Sequence, residues 1–205
     1  LKELIVGNRV VLEKNPAWPG IRAENPDIVM YRLMREPEQR LTALLNGEIQ
    51  IAQYLPPHLA PRVESSTRHR LQTSSSIEMM FLAMSPKQKP WDKKELRQAV
   101  AYAIDREAII KSLLRGQAQI LHGPFTRGQY SYDPELGPKY SYDPEKARTL
   151  VKQAGFPDGV DVELFTPVGR YINDKQVSEA MTAMLRAVGI RATLKTPEWP
   201  TLWSS

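Results

Sequence analysis

The stretch VDVELF, residues 160–165, alternates apolar and acidic side chains up to Leu164. This alternation is typical of a strand that buries one face. Residues 174–188 then carry apolar side chains at helical spacing, Gly189 ends that pattern, and residues 190–195 alternate again. A helix between two strands predicts an α/β fold, or an interleaved α+β fold, with a mixed sheet flanked by helices.

Similar patterns extend this prediction outward to the rest of the chain. Asp143 and Pro144 suit the N-cap and first position of a helix, Asp105 suits a second N-cap, and Asp92 with Glu95 has the spacing of a capping box. Further helices are predicted between Pro37 and Gly47, over 58–64, and behind each of these caps. Further strands are predicted over residues 10–12, 27–33, 49–54, 70–74 and 77–84, with 27–33 a buried central strand. Residues 117–142 are predicted to form a long loop.

The composition excludes several classes of chemistry. The chain has 205 residues and no cysteine, which excludes a disulfide framework, a thiol nucleophile and Cys-ligated metals. Its three histidines lack metal-ligand spacing, and no phosphate loop, dinucleotide fingerprint or nucleophile elbow is present. We therefore predict no catalytic residue, no metal site and no cofactor, and we expect the protein not to be an enzyme.

Charge leaves one alternative function open. The chain carries 28 basic and 23 acidic side chains, and residues 60–97 hold eight of the basic ones against four acids. This stretch could bind nucleic acid or another anionic surface, or it could be a solvated face. It has no stacking pattern typical of single-strand binders. The sequence also has no apolar run long enough to span a membrane.

One loop offers a binding group. Residues 166–171, Thr-Pro-Val-Gly-Arg-Tyr, follow the predicted strand 160–165 and precede a predicted helix. Loops from strand to helix are where α/β proteins bind ligands, and an arginine there offers a two-pronged donor to a carboxylate. Arg170 is therefore a candidate ligand-binding residue, although a solvent-facing arginine in a connecting loop would give the same pattern.

Four stretches of the chain together resemble family 5 extracellular solute-binding proteins, the peptide- and nickel-binding receptors of ABC importers. They are Glu48-Ile49-Gln50-Ile51 after Gly47, Pro90-Trp91-Asp92 before Leu96-Arg97-Gln98-Ala99-Val100 and Ala103-Ile104-Asp105-Arg106, Tyr142-Asp143-Pro144-Glu145-Lys146-Ala147, and Val188-Gly189-Ile190. The likeness covers nearly the whole chain in order, and it is greatest to the dipeptide-binding members.

The resemblance implies a lobe of the periplasmic-binding-protein-like type II fold. Family members have two lobes joined by a hinge and enclose the ligand between them. Residues 1–53 would belong to the first lobe and lead to the hinge, and residues 54–205 would form most of the second lobe. Since the chain lacks an initiator methionine, we expect it to be a fragment, truncated at its C-terminus, whose signal segment lies outside it.

The resemblance also implies a function and a site. The protein would capture a peptide-like solute by hinge closure and deliver it to the permease subunits of an ABC transporter. Arg170 would bind the ligand carboxylate and Tyr171 would line the pocket, in a loop one residue shorter than in the dipeptide-binding members. The receptor would be an exported monomer, either periplasmic or a cell-surface lipoprotein, with no cofactor and no nucleic-acid partner.

Overall fold

A computed structural model describes residues 1–74 and 76–198, which fall into two compact units that divide between Leu55 and Pro56. The first unit contains strands β1 (Glu3–Ile5), β2 (Arg9–Glu13) and β3 (Ile28–Arg32) and helix α1 (Pro37–Leu45). The second contains a 3-10 helix (Pro57–Leu59), helices α2 (Ala60–Glu64), α3 (Lys94–Ala103), α4 (Arg106–Ser112) and α5 (Pro144–Gln153), strand β4 (Val160–Phe165), helix α6 (Asp174–Ala187) and strand β5 (Ile190–Lys195).

The first unit is built on an antiparallel sheet in the order β1-β2-β3. Its middle strand is β2, which buries Val11 opposite Met30 of β3. The prediction that 27–33 is a buried central strand is wrong, because β3 lies at one end of this sheet and Ile28 and Met30 are about half exposed. Apolar residues on both faces do not report where a strand lies within a sheet.

Arg40 holds together the two ends of helix α1. Its guanidinium donates to the carbonyl oxygens of Met34 (2.6 Å) and Arg35 (2.9 Å) before the helix and of Tyr54 (2.9 Å) after it. Burial lowers the pKa of Arg40 from its ordinary value, but the group stays charged, as arginine does throughout the physiological range. The chain segments before and after α1 are therefore fixed to the same side chain.

The second unit has one hydrophobic core, formed by helices α3 to α6 and strands β4 and β5. The two strands are parallel with Val160 opposite Ile190, and their bounds coincide with those predicted from the alternation. Helix α6 joins them and packs against β5, while α3 packs against α5. The most deeply buried side chains of this core are Leu96, Ala99, Ala103, Ala147, Ile190 and Ala192.

The first residues of the helices show which of the predicted N-terminal caps are present. Asp143 accepts a hydrogen bond from the Lys146 amide and Asp105 accepts one from the Ala108 amide, each at 2.9 Å, so both caps are confirmed. The predicted capping box at Asp92 is wrong, because α3 begins at Lys94. Asp92 lies instead in the preceding turn, where its carbonyl oxygen accepts from the Arg97 guanidinium.

Three predicted strands are absent from the described residues. No strand lies between β3 and β4, so the predictions for 49–54, 70–74 and 77–84 are wrong. Within the last of these, Leu82 and Met84 pack against the core whereas Phe81 is 74% exposed. A strand is defined by hydrogen bonds to a neighbouring strand, and the pattern of a single segment does not reveal whether a neighbour is within reach.

Two glycines bring the beginnings of β4 and β5 together. Gly159 (φ +89°) and Gly189 (φ +91°) both have the left-handed backbone conformation that side chains disfavour, and the Val160 amide donates to the Gly189 carbonyl oxygen at 2.9 Å. A Cβ added at Gly159 would lie 2.6 Å from that oxygen. The register of the parallel strands therefore depends on glycine at position 159.

We expect Gly159→Ala to lower the free energy of unfolding by at least about 2 kcal/mol, since a left-handed residue with a Cβ costs about 1–2 kcal/mol and the clash adds to it. Urea denaturation monitored by circular dichroism measures the change. Gly137→Ala is the control, because a Cβ there meets no described atom within 4 Å. Equal stability of the two variants would show that Gly159 does not set the strand register.

Candidate functional site

The loop between β4 and α6 carries the predicted ligand-binding residues. The strand pairing continues one residue past β4, since the Thr166 amide donates to the Lys195 carbonyl oxygen at 3.0 Å. Gly169 follows with a φ of +75°, which turns the chain back toward α6. The loop therefore leaves the end of a parallel strand and returns to a helix N-terminus, as the sequence predicts.

The carboxylate of Asp174 shapes this loop from inside. Asp174 is the first residue of α6 and is only 3% exposed. Its oxygens accept hydrogen bonds from the backbone amides of Gly169 (3.1 Å), Arg170 (2.9 Å) and Tyr171 (3.0 Å), and from its own neighbour Lys175 (2.8 Å). Three consecutive amides thus point at one buried carboxylate, which fixes the backbone on which Arg170 stands.

Asn173 anchors the loop at a second point. Its backbone has a φ of +56°, and its side-chain amide donates to the Leu113 carbonyl oxygen at the end of α4, at 2.9 Å. Asparagine tolerates the left-handed conformation better than most residues because its short polar side chain can hydrogen-bond. The loop is therefore held to α4 as well as to α6.

Arg170 projects its guanidinium to a position where it is half exposed. The Nη1 atom lies 3.7 Å from Oε1 of Glu78, and the centre of the guanidinium lies 4.9 Å from the centroid of the Tyr171 ring. The side chain of Glu78 is 27% exposed, compared with 50% for that of Arg170. The site thus combines a solvent-accessible cation, an acidic neighbour and an aromatic ring.

The structure places the two predicted residues side by side, and it adds two residues that the sequence analysis missed. Asp174 was recognised only as the beginning of a helix, although an acid at that position directly after a loop with a glycine is a signal for backbone capping. Glu78 lies on a distant segment of the chain, and no local sequence pattern connects it with Arg170.

This arrangement is suited to binding an anion. An arginine fork binds a carboxylate through two parallel hydrogen bonds, and the adjacent ring can cover one side of the ligand. Among the residues that the structure describes, no three histidine or acidic side chains are gathered as metal ligands. Within the same part of the chain, every helix is too short or too polar to cross a membrane.

The basic stretch 60–97 is distributed over several elements. Arg62 lies on α2, Lys87 and Lys89 lie in the turns before α3, and Arg97 lies on α3. Arg97 is partly buried and donates to the carbonyl oxygens of Trp91 (2.6 Å) and Asp92 (3.3 Å), so one of the eight basic side chains holds a turn. A nucleic-acid or anionic-surface role for this stretch stays the alternative prediction.

The model of the bacterial extracellular solute-binding proteins, family 5 Middle, matches residues 1–205. The chain belongs to this family. It is 28% identical over 197 residues to the dipeptide-binding protein of Escherichia coli K12, and this match covers 89% of the chain and 35% of that protein. It is also 32% identical over 173 residues to the glutathione-binding protein GsiB of Pectobacterium atrosepticum, covering 80% of the chain and 32% of GsiB.

Solved structures of this family share the fold. The periplasmic binding protein DppA of Helicobacter pylori, in complex with the peptide STSA, matches with a TM-score of 0.85 and 27% identity over 95% of the chain and 37% of DppA. The family 5 chain thus spans about a third of the length of these relatives. The predicted family and the predicted fold class, an α/β lobe of the type II periplasmic-binding-protein kind, are confirmed.

Proposed function

We propose that this chain is part of the substrate-binding receptor of an ABC importer that captures a peptide-like solute. In this proposal residues 1–53 belong to the first lobe and lead to the hinge, and residues 54–205 form most of the second lobe. Residues outside the chain complete the receptor. The ligand binds between the lobes and favours the closed form, which then delivers it to the permease.

The observation that carries this proposal is the loop that Asp174 organises. Backbone hydrogen bonds to the Asp174 carboxylate fix the loop, so Arg170 is presented on a rigid support at the end of a strand. A preorganised group binds with less loss of conformational entropy than a mobile one. Arg170 is therefore suited to be the anchor for a ligand carboxylate, with Tyr171 beside it as a wall of the pocket.

Hinge closure would strengthen this contact. A charge-assisted hydrogen bond contributes about 1.5–3 kcal/mol when it is shielded from water. The side chain of Arg170 is half exposed in this chain, and closure of the two lobes over a ligand would remove water from the bond. Because the ligand then binds the closed state better than the open state, it drives closure by differential affinity.

The same proposal includes the cellular location of the receptor and its partners. The family consists of bacterial extracellular solute-binding proteins, so we infer that the protein is exported, as a periplasmic protein or a cell-surface lipoprotein. We infer that it acts as a monomer with the permease subunits of its transporter as partners. It would bind its solute without chemical change, so it is not an enzyme.

Calorimetry with the full protein that carries this chain tests the function. We expect di- and tripeptides with a free carboxylate to bind, and the same peptides amidated at the C-terminus to bind at least about tenfold more weakly, because the amide removes the charge that Arg170 contacts. Mass spectrometry of co-purified ligand identifies the natural solute. If no peptide binds, the proposed ligand class is wrong. If the amidated peptides bind as tightly as the free ones, the proposed contact between Arg170 and the ligand carboxylate is wrong.

A further inference from the structure

Glu78 is close enough to Arg170 to influence any ligand that the arginine binds. The distance of 3.7 Å between Nη1 and Oε1 is longer than the 2.7–2.9 Å typical of a charge-assisted hydrogen bond. The pair is therefore held by charge attraction rather than by a two-pronged clamp. The side chain of Glu78 is also less exposed to solvent than that of Arg170, so its charge is less screened.

One arginine side chain can interact with two carboxylates at once. The guanidinium has five N–H donors arranged around a planar fork, and its ion pair with Glu78 is made through Nη1. A ligand carboxylate that hydrogen-bonds to this guanidinium would meet it while Glu78 stays within ion-pair distance. In that complex the carboxylate of Glu78 lies beside the bound end of the ligand.

We propose that Glu78 is a specificity-determining residue that selects ligands with a cationic group next to the carboxylate that Arg170 binds. This inference rests on the proposed function and names the ligand class within it. Glu78 repels a second anionic group on the ligand and attracts an ammonium or guanidinium group. The aromatic ring of Tyr171 adds a surface that also favours cations, as its contact with the Arg170 guanidinium shows.

The test uses the full protein and two tripeptides, Ala-Ala-Lys and Ala-Ala-Glu, in which the side chain beside the free carboxylate is cationic in one and anionic in the other. We expect the wild type to bind the lysine peptide about tenfold more tightly than the glutamate peptide, as measured by calorimetry at low salt. In Glu78→Gln the ratio of the two dissociation constants should fall to within about threefold of one, because the glutamine has a similar shape and no charge and only the Tyr171 ring still favours the cation.

Glu64→Gln is the matched control, since Glu64 is an exposed acid at the end of α2, outside the loop. It should keep the wild-type ratio. An unchanged ratio in Glu78→Gln would overturn the inference, and so would an equal loss of affinity for both peptides, which would mean that Glu78 only orients Arg170. If the wild type binds neither peptide nor any other in the panel, the proposed function fails and the inference fails with it.

Discussion

Arg170→Ala in the full protein is expected to weaken the binding of peptides with a free carboxylate by about 10- to 150-fold. The estimate follows from the loss of about 1.5–3 kcal/mol when a charge-assisted hydrogen bond is removed, at 1.4 kcal/mol for each factor of ten. The variant should unfold at the same denaturant concentration as the wild type, because the loop is held through backbone amides and not through this side chain.

Two further variants separate the possible causes of such a loss. Arg170→Lys keeps the positive charge but not the planar fork, so we expect an intermediate affinity. Arg62→Ala removes an exposed arginine from α2 and should leave peptide affinity unchanged. Calorimetry on all three variants measures their peptide affinities. If Arg170→Ala binds peptides as tightly as the wild type, Arg170 is not a ligand-binding residue.

Asp174→Ala is expected to lower both stability and affinity. The substitution leaves the amides of Gly169, Arg170 and Tyr171 without the carboxylate that accepts their hydrogen bonds. Because these groups are partly buried, we expect the free energy of unfolding to fall by about 2–4 kcal/mol. The loop would lose its fixed shape, and peptide binding should weaken by at least about tenfold even though Arg170 is still present.

Asp174→Asn should retain part of both properties, since it keeps one carbonyl acceptor in the same place. Asp133→Ala is the control, because Asp133 also accepts an amide hydrogen bond (from Glu135, 2.9 Å) but lies in an exposed turn. It should change stability by no more than about 0.5 kcal/mol. Stability and affinity of Asp174→Ala equal to those of the control would show that the loop keeps its shape without the carboxylate.

Together the two substitutions distinguish a ligand contact from a supporting role. Arg170→Ala removes the group that is proposed to contact the ligand and leaves the loop intact, whereas Asp174→Ala removes the support and leaves the arginine. Only the second is expected to change the denaturation midpoint. A position that alters affinity without stability is thus assigned to the contact, and one that alters both is assigned to the scaffold.

Local sequence patterns were sufficient to predict two parts of the second unit, namely helix α5 and the segment from β4 to β5. Alternation sets the bounds of β4 and β5, and the carboxylates of Asp105 and Asp143 cap their helices as expected. These features depend on residues a few positions apart, which sequence spacing records directly. The predicted capping box failed because Asp92 satisfies the spacing but lies in a turn before the helix.

Features that depend on distant segments were not predicted. The position of β3 at the end of its sheet and the lack of strand pairing at 77–84 depend on which segments come together in space. The contact of Glu78 with Arg170 is of the same kind. Arg170 and Tyr171 could be selected as site residues from their position in a strand-to-helix loop and from the family resemblance, and their ligand role is still a prediction.

The way in which Asp174 holds its loop has a consequence for evolution and for receptor engineering. Its three loop contacts are all to backbone amides, which every residue except proline possesses. Positions 170 and 171 can therefore exchange side chains while the main chain keeps its course, provided that Gly169 preserves its left-handed turn. In the proposed function, a change of ligand specificity would therefore require few substitutions at positions 170 and 171, because the hydrogen bonds that hold the loop would remain.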